Sequence, residues 1–150
     1  MKVILQKVKK ASVSVDGKIV GEIDKGYCLL VGVHKESTEA DAKYLAKKIV
    51  EARLFEDENE KLNLGLKDVG GSILSISQFT LYADTKKGKR PSFTNAAGAE
   101  KANELYNRFN DYLREENIKV ETGIFQTMME VNIINDGPVT IIYEKLSSGN

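Results

Sequence analysis

Three residues near the middle of the chain, Ser77, Gln78 and Thr80, place two hydroxyls and an amide within four positions. A serine or threonine hydroxyl is a weak nucleophile unless a base stands beside it, so these types suit binding and oxyanion stabilisation better than covalent attack. Polar atoms buried without partners cost about 1–3 kcal/mol each. Water, a neighbouring strand or a ligand must therefore satisfy them. The local sequence leaves two readings open: caps for their own backbone at a strand end, or groups facing a ligand.

Few other residues offer chemistry. Cys28, the single cysteine, sits inside Tyr27-Cys28-Leu29-Leu30-Val31 and reads as a small buried hydrophobe. His34 is the lone histidine and lacks companions at metal-ligand spacing, so no metal site and no cofactor are expected. Pairing His34 with a serine would need a carboxylate to orient it, and none is evident. Asp84-Thr85-Lys86-Lys87-Gly88-Lys89-Arg90-Pro91-Ser92-Phe93 is a long basic loop. It is either a solvated surface loop or, beside the polar cluster, a site that attracts a polyanion through Lys86, Lys87, Lys89 and Arg90.

The elements that position these groups follow from periodicity. Ser72–Tyr82 alternates and is rich in β-formers, so it reads as one strand carrying the polar residues toward its end. Val3–Val15 suggests one or two strands. Asp16-Gly17 is a tight-turn pair, Lys18–Ile23 returns antiparallel, and Tyr27–Val33 is an apolar central strand, together a β-meander. Thr38 and Asp41 form a capping box ahead of a helix over roughly 39–52. Leu54-Phe55 opens a short strand. Ala102, Leu105, Tyr106, Phe109 and Leu113 mark a second helix over about 96–116. Ile118–Val120, Met128–Ile134 and Val139–Glu144 read as strands, with Asn135-Asp136-Gly137-Pro138 as a hairpin turn between the last two. Ser147-Ser148-Gly149-Asn150 is expected to fray.

The chain has 150 residues and a formal net charge of zero. That length suits one domain, residues 1–150, with a core needing no disulfide or metal. Zero net charge provides no long-range field for nucleic acid, so any such contact is local. No apolar run approaches the ~20 residues of a membrane span, and the amino terminus passes directly into a strand pattern, so a cytoplasmic location is expected.

Ser77-Gln78-Phe79-Thr80-Leu81, followed by Asn135-Asp136-Gly137-Pro138-Val139-Thr140, resembles the two signature segments of the D-aminoacyl-tRNA deacylases. The likeness extends through Ala11-Ser12-Val13, Phe55-Glu56-Asp57, Arg90-Pro91-Ser92-Phe93 and Thr122-Gly123. It implies an α+β homodimer, an antiparallel, barrel-like sheet with two main helices, that hydrolyses the ester joining a D-amino acid or glycine to the acceptor end of tRNA. The resemblance assigns Ser77, Gln78, Phe79 and Thr80 to the catalytic segment, and Gly137, Pro138, Phe125 and Met129 to substrate contact. The Gly137-Pro138 pair would be cis and would enter the other subunit's site. Two departures stand out: Lys7 replaces an expected arginine behind the Gly-Pro loop, and Gln126-Thr127 replaces small residues after Phe125.

An aminoacyl ester is already activated. Positioning and oxyanion donors, here backbone N–H groups near Phe79 and Thr80, are sufficient protein contributions. The resemblance further implies help from the ribose 2′-hydroxyl of the tRNA. Two other classes stay in view: an inactive RNA-binding module resting on the basic loop, and a serine esterase, which lacks the Gly-x-Ser-x-Gly elbow.

Overall fold

The computed structural model describes residues 1–147. Its sheet is built on β1 (Lys2–Val15). One edge of β1 pairs antiparallel with β8 (Glu130–Glu144), from Lys2 opposite Glu144 to Ser14 opposite Glu130. Two strands share the other edge, β2 (Lys18–Ile23) against Ala11–Val15 and β3 (Gly26–Gly32) against Lys2–Val8, both antiparallel. Asp16 and Gly17 have φ of 50° and 78°, the paired positive values of a two-residue hairpin turn. The expected meander is therefore corrected to the order β2-β1-β3. At 14 residues, β1 is long enough to receive two partners in succession.

Beyond β3 the sheet turns parallel. β6 (Ser72–Ser77) runs beside β3, and β7 (Val120–Thr122) runs beside β6. Helix α1 (Glu39–Glu51) lies in the chain between β3 and β6, and α2 (Ala99–Glu115) between β6 and β7. Such crossovers are what parallel neighbours require. The sheet is thus mixed and not wholly antiparallel, and it curls until β2 meets β6 and β7 in a nearly closed barrel. A small hairpin, β4 (Phe55–Glu56) with β5 (Leu62–Leu64), stands apart from it.

The capping box forms: Asp41 N–H donates to Thr38 Oγ1 at 3.2 Å, and Thr38 N–H to Asp41 Oδ2 at 2.9 Å. Each satisfies a donor that the helix cannot. Helix α2 starts three residues later than expected because Gly98 takes extended angles as its N-cap. Two cores result. The larger packs Val3, Leu5, Leu29 and Ile73 of the sheet against Leu45 and Ile49 of α1 and Phe109 and Leu113 of α2. The smaller fills the curl with Val8, Val13, Cys28, Leu74 and Ile76, and Met129 and Val131 lean on it.

Two further expectations are corrected. The strand from Ser72 stops at Ser77 and gives way to a 3₁₀ turn, Phe79–Tyr82. Asn135–Pro138 is no hairpin: β8 runs on through it, and shifts in register against Gln6–Lys10 absorb the irregularity. Of the carboxyl-terminal segment, the Ser147 hydroxyl bonds Asp41, and residues 148–150 lie outside the described residues.

Candidate active site

The change of course at Ser77 creates the site. Gln78 N–H donates to Val31 O at 2.8 Å, and the chain then coils into the 3₁₀ turn. Gly32 permits this, since a Cβ there would lie 3.0 Å from Leu81 Cβ and 3.3 Å from Gln78 O. The first N–H groups of such a turn have no partner within it. Among the described residues, the Phe79 and Thr80 N–H groups meet no acceptor. A continuing strand would have paired them. Gln78 Nε2 donates to Thr80 Oγ1 at 3.1 Å, so the threonine oxygen faces an amide donor and not a base.

These residues line a cavity of about 850 Å³ at the carboxyl ends of β3 and β6, the end of parallel strands where ligands collect. Phe125 and Met129 line it too, so the structure brings together six of the residues singled out in the sequence. Among the described residues, none that lines the cavity carries a charge. Helix α2 braces two walls at once. Buried Tyr106 donates its hydroxyl to Ser75 O at 2.6 Å, and its ring lies 6.4 Å from that of Phe125, nearly parallel. Gly123 backs the Met129 sulfur so closely that a Cβ would collide with it.

Other candidates lie elsewhere. His34 faces a separate cavity of about 360 Å³ with Lys2, Tyr82 and Glu144. Its Nδ1 accepts the Glu36 N–H at 3.0 Å, and burial holds its pKa below the usual imidazole value. It lines that cavity and not the one that holds Ser77 and Thr80. Burial pushes the Cys28 thiol up to about 12, which removes it as a nucleophile. No cluster of three potential metal ligands occurs among the described residues.

Gly137-Pro138 is exposed in the middle of β8 and absent from the lining of this cavity. The peptide bond is cis, and Gly137 has a φ of 125°. Asn135 Nδ2 braces the segment by donating to Lys7 O at 3.3 Å and Val139 O at 3.2 Å. Lys7 supports it with its backbone only. Its buried ammonium turns away, donating to Leu54 O at 3.1 Å and lying 5.5 Å from the centre of the Phe55 ring. Lys86, Lys87, Lys89 and Arg90 are all exposed on a loop closed by paired hydrogen bonds between Asp84 and Ser92.

Sequence reasoning missed Val31, Val33, Ala97, Ala99, Ala102, Met128 and Val131 in the cavity wall. The alanines ahead of and within the first turn of α2 were the one available signal, since small side chains leave room for a ligand.

The family model described as D-Tyr-tRNA(Tyr) deacylase matches residues 4–144. A D-aminoacyl-tRNA deacylase of Staphylococcus haemolyticus is 61% identical over 144 residues, covering 96% of this chain and 95% of that protein. One from Shouchella clausii is 58% identical, covering 96% and 99%. Among solved structures, one described as a c-Myc DNA unwinding element binding protein is 38% identical with a TM-score of 0.90, covering 97% of this chain and 99% of that one. A probable eukaryotic D-amino acid tRNA deacylase, 17% identical with a TM-score of 0.79 over 95% and 97%, shares the fold. With the family's pattern matched from the first strand to the last, the chain belongs to the D-aminoacyl-tRNA deacylase family.

Proposed function

We propose that this D-aminoacyl-tRNA deacylase hydrolyses the ester between a D-amino acid, or glycine, and the terminal adenosine of tRNA, using backbone donors and no catalytic side-chain base. The observation that carries the reading is the pair of unpartnered N–H groups at Phe79 and Thr80, in residues lining an uncharged cavity. Fixed backbone dipoles in a site from which water can be displaced stabilise an oxyanion without reorganising. Gln78 and Thr80 hold the substrate. The terminal 2′-hydroxyl of the tRNA supplies the proton-transferring group that the cavity lacks.

Chirality is selected by Gly137-Pro138 of a second subunit. Support comes from the exposure of this pair outside its own cavity, and from Ile134 and Ile142, 55% and 68% exposed on the same strand, which offer an apolar face to a partner. Backbone atoms make a wall that cannot swing aside, so it excludes an L side chain and lets glycine pass. The protein acts in the cytoplasm; no helix among the described residues is long and apolar enough to cross a membrane.

The DNA element named for one structural relative suggests another reading, but zero net charge and one short cationic loop give little for a duplex to hold. Incubation with D-aminoacyl-, L-aminoacyl- and glycyl-tRNA, counting released amino acid, tests the proposal. Release from the D and glycyl esters alone supports it. Equal release from the L ester overturns the selector, and no release from any overturns the enzyme.

A further inference from the structure

Phe79 contributes more than its backbone. The residue is 57% exposed in the cavity lining, an unusual place for a phenylalanine that follows a buried strand. The ring is not loose: it meets Phe93 edge-on, with centroids 5.0 Å apart and planes at 62°. Phe93 follows Ser92, whose backbone pairs with Asp84 at 2.7 and 2.8 Å to close the loop bearing Lys86, Lys87, Lys89 and Arg90. A steadied, half-exposed aromatic ring in the lining of an uncharged cavity is thus joined through Phe93 to the loop that carries four exposed cations.

The cavity has the size that suits one small-molecule moiety such as an aminoacyl nucleoside. The nucleotide preceding it must leave across the rim. Single-stranded nucleic acid is held by aromatic rings that stack its bases and by cations that track its phosphates. From this juxtaposition we infer that the Phe79 ring, steadied by Phe93, is the stacking platform for the unpaired base that precedes the terminal adenosine, with its phosphate directed to the Lys86–Arg90 loop. This inference rests on the deacylase reading and deepens it: the aminoacyl nucleoside fills the cavity while the next base is held outside.

The test compares kcat/KM for two D-aminoacyl esters, one of adenosine alone and one of a trinucleotide ending in adenosine. The ratio of the two cancels any effect of a substitution on the shared chemistry. In Phe79→Leu, which keeps apolar bulk but loses the π face, the trinucleotide's advantage falls by about 5- to 150-fold, the range for one base–aromatic stack. Phe79→Trp restores it, and Phe93→Leu weakens it to a lesser degree. Making the second nucleotide of the trinucleotide abasic removes the same advantage from the parent protein and nothing further from Phe79→Leu. An unchanged ratio in Phe79→Leu, or equal sensitivity to the abasic change in both proteins, overturns the platform. So does a Phe79→Leu protein whose only change is its oligomeric state. A protein that cleaves neither ester refutes the deacylase reading instead.

Discussion

Replacing Thr80 by alanine separates a binding hydroxyl from a catalytic one. In the structure this hydroxyl makes one resolved contact, the 3.1 Å hydrogen bond from Gln78 Nε2, and the residue is exposed. Removing one neutral hydrogen bond costs about 0.5–1.5 kcal/mol, roughly twofold to tenfold in rate at most. Loss of a true nucleophile is on the order of a millionfold, judged from the serine of the subtilisin triad. The gap is wide enough to decide. Single-turnover deacylation with enzyme in excess, followed by release of radiolabelled D-amino acid, measures it directly. The companion arm uses tRNA ending in 2′-deoxyadenosine, where loss of the assisting hydroxyl should slow hydrolysis by about 10²–10⁴-fold, the range of general acid–base catalysis. If Thr80→Ala is inactive while the deoxy substrate turns over at the normal rate, the backbone-donor mechanism is wrong and the threonine is the nucleophile.

Three other outcomes follow from the structure. In Gly137→Ala the new Cβ would stand 2.8 Å from Val139 Cγ2 at a φ of 125°; strain of about 1–3 kcal/mol should leave the protein folded by circular dichroism while activity on D-aminoacyl-tRNA collapses. An unchanged D-specific rate would remove the pair's role. With only Lys86, Lys87, Lys89 and Arg90 available, the log–log salt slope of tRNA binding should stay below about four in magnitude, and a slope near ten would reveal an extended interface. Burial depresses the pKa of His34 in the folded state, so the unfolded chain binds more protons between the folded value and about 6.5. Stability should fall as pH drops through that window, and His34→Gln should flatten the fall in urea midpoints between pH 7.5 and 5. Parallel curves for the two proteins would refute this.

What the sequence made legible was local. Thr38 and Asp41 announced α1 because a capping box is closed by residues three apart, and the apolar spacing of Leu105, Phe109 and Leu113 announced α2. The misreadings were of long range. Phe79, Thr80, Leu81 and Tyr82 are good strand formers, yet their strand ends with its partner, because β3 stops at Gly32. Asn135-Asp136-Gly137-Pro138 has the composition of a turn, but β1 opposite it is continuous and holds β8 in place on both sides. The parallel pairing of β3 with β6 departs from the expected antiparallel sheet, although the strand–helix–strand order around α1 carries its signal. For the site itself, the motif led to Ser77–Thr80, Phe125 and Met129. Val31, Val33, Ala97 and Ala102 were hidden because apolar residues at strand and helix ends look the same whether they face core or ligand.

The continuity of β8 has a genetic consequence. Met129, just ahead of the strand, and Val131 within it wall the strand's own cavity, whereas Gly137 lies eight positions beyond Met129, on the order of 26 Å along extended chain. One rigid strand thus carries the wall of one cavity and, on the reading proposed here, the selector of another. A chain damaged at Gly137 and a chain damaged in its cavity would each be inactive alone. Mixed in one dimer, the first would lend its sound cavity and the second its sound selector, restoring one complete site. On that reading, two inactive alleles of these two kinds should complement each other, and failure of every such pair to do so would count against a selector shared across the dimer.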